Sequence, residues 1–260
     1  MHFSSSRSEA GPLRLLRCGP GPRIFLFPHS GAGAQSMTDW LGDLPPPLEC
    51  FAIQRPGRED RFGERPFESL RACVAESCEV IEPLLDRPYA LFGHSLGGFL
   101  AFEVAAQLHA RGAPPPDILC ISAISPEIRS SLRVTSRLAR LQHARACFSS
   151  SGGIDEETLE ELLVASEPAF EADLALYFDS RNEATSVVLE TPVVAVCATR
   201  DNSAPPDMVS LWRTRTRGHF ELLEVDGDHM YVATSARRKV AHFLAQSMSS
   251  SLQPGGLSTP

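Results

Sequence analysis

The sequence predicts an α/β protein: a mostly parallel central sheet, helices on both of its faces, and an inserted helical segment. Three observations predict it. Short apolar runs of strand length alternate with helical patterns, which is the order that builds parallel strands joined by crossover helices. The alternation breaks once, from about 128 to 190, where two or more helical stretches follow with no strand between them. One Gly-x-Ser-x-Gly stands between a strand pattern and a helix pattern.

In chain order, Leu13–Arg17 and Arg23–Phe27 read as strands separated by Gly-Pro-Gly-Pro, a turn signal. Cys50–Gln54 reads as a short strand ended by Arg55-Pro56-Gly57. Phe67–Leu85 has helical periodicity, with Leu70, Val74, Cys78, Ile81 and Leu85 on one face and Asp86-Arg87-Pro88 as the stop. Strand Tyr89–Phe92, helix Gly98–Arg111 and strand Ile118–Ala123 follow. A helical region from about 128 to 178 comes next. Then come strand Val193–Ala198, a helix near Pro206–Arg215, strand Phe220–Val225 and a last helix over 235–246. Both faces of such a sheet are covered. An insertion at the carboxyl end of the strands is where a lid would sit, so 128–190 is expected to be one. Within it, Asp155 resembles a helix N-cap, with Ile154 and Leu159 spaced as a hydrophobic staple.

A chain of 260 residues accommodates one such domain, expected over 13–246. The Ser-rich residues 1–12 and the Ser/Gly/Pro-rich residues 247–260 cannot build a core and are expected to be disordered. Hydrophobic residues at 43% and charged residues at 22% exclude a chain disordered throughout. A net charge of −8 argues against bulk attraction to nucleic acid or an anionic membrane. No apolar run approaches the length of a bilayer span, and the first residues lack the apolar core of a secretory signal. The seven cysteines (18, 50, 73, 78, 120, 147 and 197) make neither a CxxC nor a zinc-ligand spacing. A soluble, cytoplasmic monomer with reduced thiols, no metal and no cofactor is expected.

The chemistry centres on Gly93-His94-Ser95-Leu96-Gly97. Strand before and helix after is the setting of a nucleophile elbow, where a serine sits on a strained turn and the glycines leave room for it. A serine at its own pKa is a poor nucleophile and needs a base that an acid orients. In folds with this elbow the order along the chain is Ser, then Asp or Glu, then His. His229 stands in the loop after strand Phe220–Val225 and is the expected base. His219 precedes that strand, His242 lies inside the last helix and His143 lies in the inserted region, so these three read as surface or packing residues. Asp201, just past strand Val193–Ala198, is the expected acid; Glu127, one strand earlier, is the rival. Asp226 and Asp228 read as turn residues. The N–H groups of Leu96 and of Ser30, in the small-residue loop Phe27-Pro28-His29-Ser30-Gly31-Ala32-Gly33, are the expected oxyanion donors.

Four segments carry a family resemblance: Phe27-Pro28-His29-Ser30-Gly31, Gln54-Arg55-Pro56-Gly57-Arg58-Glu59-Asp60-Arg61, the stretch 88–97 with the elbow, and Gly227-Asp228-His229-Met230-Tyr231. Over roughly 22–245 the chain resembles the type II thioesterases, stand-alone editing hydrolases of polyketide and nonribosomal peptide assembly lines. The resemblance implies an α/β-hydrolase fold with a helical lid and Ser95, Asp201 and His229 as the triad. It also implies release of acyl groups from the phosphopantetheine arm of an acyl or peptidyl carrier protein. Alternatives are another serine esterase of this fold, a product-releasing thioesterase, or a catalytically silent binding protein. Departures occur in the first loop, around His229, and at Glu171-Ala172-Asp173, where the family often has Arg-Ala-Asp.

Two charged segments remain. Arg58, Glu59, Asp60 and Arg61 read either as a functional surface or as an ion-pair network anchoring a loop beside the site. Arg129, Arg133, Arg137 and Arg140 recur at helical spacing in a stretch, 128–154, without Asp or Glu. On a helix they would form one basic stripe, suited to an acidic carrier protein; the alternative is a solvated face, or arginines paired with the acidic run Asp155–Glu161.

Overall fold

The computed structural model describes residues 11–127, 156–178 and 186–248. Arg129, Arg133, Arg137, Arg140, His143, Ile154, Asp155 and most of both expected disordered ends lie outside these residues.

Among the described residues seven strands form one sheet: β1 (Leu13–Arg17), β2 (Arg23–Phe27), β3 (Glu49–Ile53), β4 (Tyr89–His94), β5 (Ile118–Ser122), β6 (Val193–Ala198) and β7 (Phe220–Val225). Their order is β1-β3-β2-β4-β5-β6-β7. Only β1 runs antiparallel, against β3; the other neighbours are parallel. The Gly-Pro-Gly-Pro turn therefore joins two strands that are not paired, because β3 lies between them.

Side chains of successive strand residues point to opposite faces. Here both sets are apolar. Phe25, Phe27, Leu91, Leu119, Ile121 and Ala195 enter one core layer, and Ile24, Leu26, Phe92, Cys120, Val194 and Val196 enter the other. Each fully buried large side chain contributes about 1.5–3 kcal/mol, which makes this double-sided burial the main support of the sheet.

Helices α1 (Leu70–Ile81) and α2 (Leu96–Ala110) cover the first layer; α5 (Arg237–Ser247) and the 3-10 segment Ala34–Gly42 cover the second. Two further helices are α3 (Glu156–Phe178) and the short α4 (Pro206–Val209). Most boundaries that differ from expectation shift by one or two residues; three differences have a clear physical cause. The Ser69 side chain caps α1 by accepting the Ala72 N–H, so the helix starts at Leu70 and not at Phe67. It ends at Ile81 because Pro83 has no N–H to continue the ladder, and Glu82–Leu84 tighten into a 3-10 turn. The helix near Pro206–Arg215 is one α turn followed by a 3-10 turn over Ser210–Arg215. In the inserted region, 156–178 is helical as expected, through a single helix that contains Pro168. Among the described residues no helix is long and apolar enough to cross a membrane.

Candidate active site

Four strands aim their carboxyl ends at one place: β2 delivers the loop 28–33, β4 delivers Ser95, β6 delivers Asp201 and β7 delivers His229. That edge of a parallel sheet is where side chains from different strands converge.

Ser95 is the single residue between β4 and α2. Its backbone has φ 54 and ψ −127, a strained conformation for a residue with a side chain. A hydrogen bond from its N–H to Ser122 O of β5 (2.8 Å) holds it there. The flanking glycines allow the tight approach. A Cβ on Gly93 would meet the backbone of Gly97 and, at 2.5 Å, Gly98 N; one on Gly97 would meet Phe27 O and, at 2.7 Å, Pro28 O. The elbow therefore presses directly against the loop after β2.

His229 lies between Ser95 and Asp201. Its Nε2 is 3.1 Å from Ser95 Oγ and its Nδ1 is 2.7 Å from Asp201 Oδ2. The Asp201 side chain is 1% exposed and that of His229 is 21% exposed. Burial works against the charged carboxylate. The hydrogen bonds and charge of His229, with hydrogen bonds from Ser203, outweigh it and hold Asp201 below the usual carboxylate range. Asp201 Oδ1 accepts from Ser203 N–H (2.9 Å), Ser203 Oγ (2.5 Å) and Ala204 N–H (3.2 Å), which leaves Oδ2 for the imidazole. Ser203 Oγ also lies 3.0 Å from His229 Nδ1. Sequence reasoning missed Ser203. The signal was local: an Asp two residues before a Ser is a ready Asx turn.

The rival acid is elsewhere. Glu127 is exposed, and its N–H bonds to Ser125 Oγ. His219 is exposed beside Glu221, and His242 bonds to Gln246 within α5. Asp226 pairs with Arg200 and Thr199, and Asp228 accepts the Met230 N–H, so both are turn residues as expected.

Beside the site a polar chain links the ends of β4 and β5 to the loop that carries His229. His94 Nδ1 is 2.8 Å from Ser122 Oγ, which is 2.5 Å from the Tyr231 hydroxyl. The His94 and His229 ring centroids are 5.2 Å apart. Burial raises the Tyr231 pKa well above its ordinary value, so the phenol stays neutral and links the His229 loop to β5.

Ser30 sits in a turn closed by Ala32 N–H on His29 O (3.2 Å). Gly31 is its third residue, with φ 76, the left-handed conformation that suits glycine in a type II turn. The segment Gln54–Arg61 grips this loop. Arg55 donates to Pro28 O (2.9 Å) and His29 O (2.7 Å), Gln54 Oε1 accepts Ala34 N–H (2.6 Å), and Glu59 accepts Gln35 N–H (3.1 Å). Arg58 pairs with Asp173, Asp60 with Arg14, and Arg61 with Glu64 and Glu76. Of the two readings of Arg58–Arg61, this is the ion-pair network that anchors a loop beside the site.

The arrangement suits acyl transfer through a serine. Buried thiols are not competing nucleophiles: burial pushes Cys50 up to about 11 and Cys73 up to about 12. Among the described residues no group of three or more His, Cys, Asp or Glu side chains is arranged to hold a metal ion.

The thioesterase domain family matches residues 22–248. The chain belongs to the thioesterase family. This thioesterase is 32% identical to thioesterase PikA5 of Streptomyces venezuelae, across 85% of its own length and 80% of that protein. Its fold superposes on RedJ, a thioesterase from the prodiginine biosynthetic pathway of Streptomyces coelicolor, with a TM-score of 0.77 and 27% identity, covering 88% of this chain and 87% of that one. It is similar also to BorB, the type II thioesterase of the borrelidin biosynthetic cluster: TM-score 0.78, 25% identity, 91% of this chain and 97% of that one. Family membership makes the protein a thioester hydrolase, and the sheet order is that of an α/β-hydrolase fold, as the family resemblance implied.

Proposed function

We propose that this thioesterase is a type II enzyme that hydrolyses acyl groups from the phosphopantetheine arm of carrier proteins in polyketide or nonribosomal peptide assembly. It acts as a cytoplasmic monomer. Ser95 is its nucleophile, His229 its base and Asp201 its acid. The observation that carries the reading is His229 bridging Ser95 Oγ and Asp201 Oδ2 at 3.1 and 2.7 Å in a chain of this family. The pathway assignment draws support from BorB, a type II thioesterase of a borrelidin cluster, and RedJ, from prodiginine biosynthesis.

Ser95 Oγ attacks the thioester carbonyl carbon while its proton passes to His229 Nε2. Asp201 holds the imidazole with Nδ1–H toward itself and stabilises the imidazolium that forms. The oxyanion accepts hydrogen bonds from the N–H groups of Leu96, first residue of α2, and Ser30. The C–S bond breaks, and His229 protonates the departing pantetheine thiolate. Water then attacks the acyl-Ser95 carbonyl, giving its proton to His229. Collapse returns that proton to Ser95 Oγ and releases the carboxylic acid. Arg129, Arg133, Arg137 and Arg140 serve as the docking surface for the carrier. Arg133→Glu with Arg137→Glu should lower kcat/KM on acyl-carrier substrate, more so at low salt, and leave a small acyl thioester unaffected; equal loss on both removes the docking role.

The test of the reaction is single-turnover hydrolysis of an acyl-carrier thioester and of an oxygen ester with the same acyl chain, by wild type and Ser95→Ala. Preference for the thioester, abolished in the variant, is expected. Preference for the oxygen ester would make the protein a general esterase of this fold.

A further inference from the structure

Asp173 lies late in α3, 142 residues beyond the loop it contacts, and its side chain is 2% exposed. Its Oδ2 accepts the Gly31 N–H (2.8 Å) and Arg55 Nη2 (2.9 Å), and pairs with Arg58 Nη1. Its Oδ1 accepts Arg55 Nε (3.3 Å) and Arg58 Nη2 (3.0 Å). A lone carboxylate at this depth would be forced neutral. Burial does oppose its charge, but the two guanidiniums prevail and its pKa lies below the usual carboxylate range.

The contacts fall on both sides of one residue. The peptide that carries the Ser30 N–H has His29 O as its other end, and Arg55 Nη2 donates to that oxygen at 2.7 Å. The next peptide begins at Ser30 C=O and ends at Gly31 N–H, which Asp173 holds. A peptide is planar, so fixing one end fixes the direction of the other. With both flanking planes tied, the Ser30 N–H cannot turn away. Arg55 spans the two ties, since one guanidinium binds His29 O and Asp173 together. Phe170, one helical turn before Asp173, packs against the same turn: a Cβ on Gly31 would come within 2.9 Å of its ring.

We propose that Asp173, acting with Arg55, is a positioning residue for thioester hydrolysis: it holds the turn at Ser30 so that its N–H points where the oxyanion forms. This rests on the reading of Ser30 as an oxyanion donor. Such a residue touches no substrate. Its loss matters only when charge develops on the carbonyl oxygen, and a misplaced donor costs about 10- to 100-fold in rate.

Two inert analogues of the acyl-pantetheine substrate separate this role from support of the fold. A trifluoromethyl ketone adds to Ser95 and presents an oxyanion; an amide in place of the thioester mimics only the ground state. In Asp173→Asn, kcat should fall about 10- to 100-fold with KM within about twofold, and the ketone should weaken by the same factor while the amide does not. Equal weakening of ketone and amide, or no change in either, overturns the proposal. Should Asp173→Asn fail to fold, Arg55→Lys, which keeps the charge but loses the planar fork, decides by the same ratio. Failure of both to fold also overturns it, because the cluster then serves the fold alone. Ketone binding by the wild type that survives Ser95→Ala would instead overturn the active-site reading, and this proposal with it.

Discussion

Ser95 is flanked by two loops held by opposite means. The loop that carries His229 is open: its imidazole is 21% exposed, and neighbouring Asp226 and Arg200 pair at the surface. The loop that carries Ser30 is locked by Arg55, Arg58 and Asp173, all of them buried. In the proposed mechanism the difference follows from what each loop has to do. A base takes and returns a proton once in acylation and once in deacylation, so its charge changes four times in a cycle, and a deeply buried imidazole would resist the charged form. An oxyanion donor never changes state. It only has to stay aimed, and permanent charges can hold it without ever being asked to titrate.

The largest effects should come from the open side. Ser95→Ala and His229→Ala are each expected to lower kcat by about 10⁴- to 10⁶-fold, because the groups act as a unit. Asp201→Asn should follow at about 10³- to 10⁴-fold, through the wrong tautomer of His229. Steady-state kinetics on an acyl-pantetheine thioester measures all three. A near-wild-type Asp201→Asn beside an inactive Glu127→Gln would move the acid to β5 and break the comparison.

Ser203→Ala sharpens the comparison on the same side. It removes one of three donors to Asp201 Oδ1 and leaves the Oδ2 contact with His229 in place. About a 10-fold fall in kcat with KM unchanged is expected, the scale of a hydrogen bond to a charged group. A loss as large as that of Asp201→Asn would mean that Ser203, rather than the backbone, orients the acid.

The locked side should reveal itself through stability as a function of pH. The Asp173 carboxyl is depressed in the folded protein, so the unfolded chain binds its proton first as pH falls. Its contribution is present in full above its ordinary value of 3.8 and is lost as pH drops from there toward the folded value. The gap in urea midpoint between wild type and Asp173→Asn should therefore be wide at pH 7 and narrow by pH 3. A gap that does not narrow would show that the ionised carboxylate is not what locks the loop.

The open side was also the legible one. Ser95, Asp201 and His229 each sit within a few residues of a strand end, and a strand, an elbow and a loop histidine are local patterns. The sheet was legible for the same reason: its strands are short apolar runs bounded by turn residues. Ser30, the proposed oxyanion donor, could be placed on its loop by composition. What holds that loop could not be read, because Asp173 meets Arg55 across 118 residues and Gly31 across 142, and no local spacing records such a contact. Arg55 and Arg58 were visible as part of a charged segment, but their burial depends on α3 closing over them. The early end of α1 is a different kind of miss. Pro83 stood in the sequence, and the apolar face that continues to Leu85 masked it.

The proposed reaction passes the acyl group through Ser95. Rapid mixing of the protein with a stoichiometric acyl-carrier thioester, acid quench and intact-protein mass spectrometry would capture it. The expected result is a transient mass increase equal to the acyl group, mapped by peptide analysis to Ser95, preceding release of the acid and missing from Ser95→Ala. Release of the acid by Ser95→Ala at the wild-type rate, or an adduct on any other residue, would contradict it.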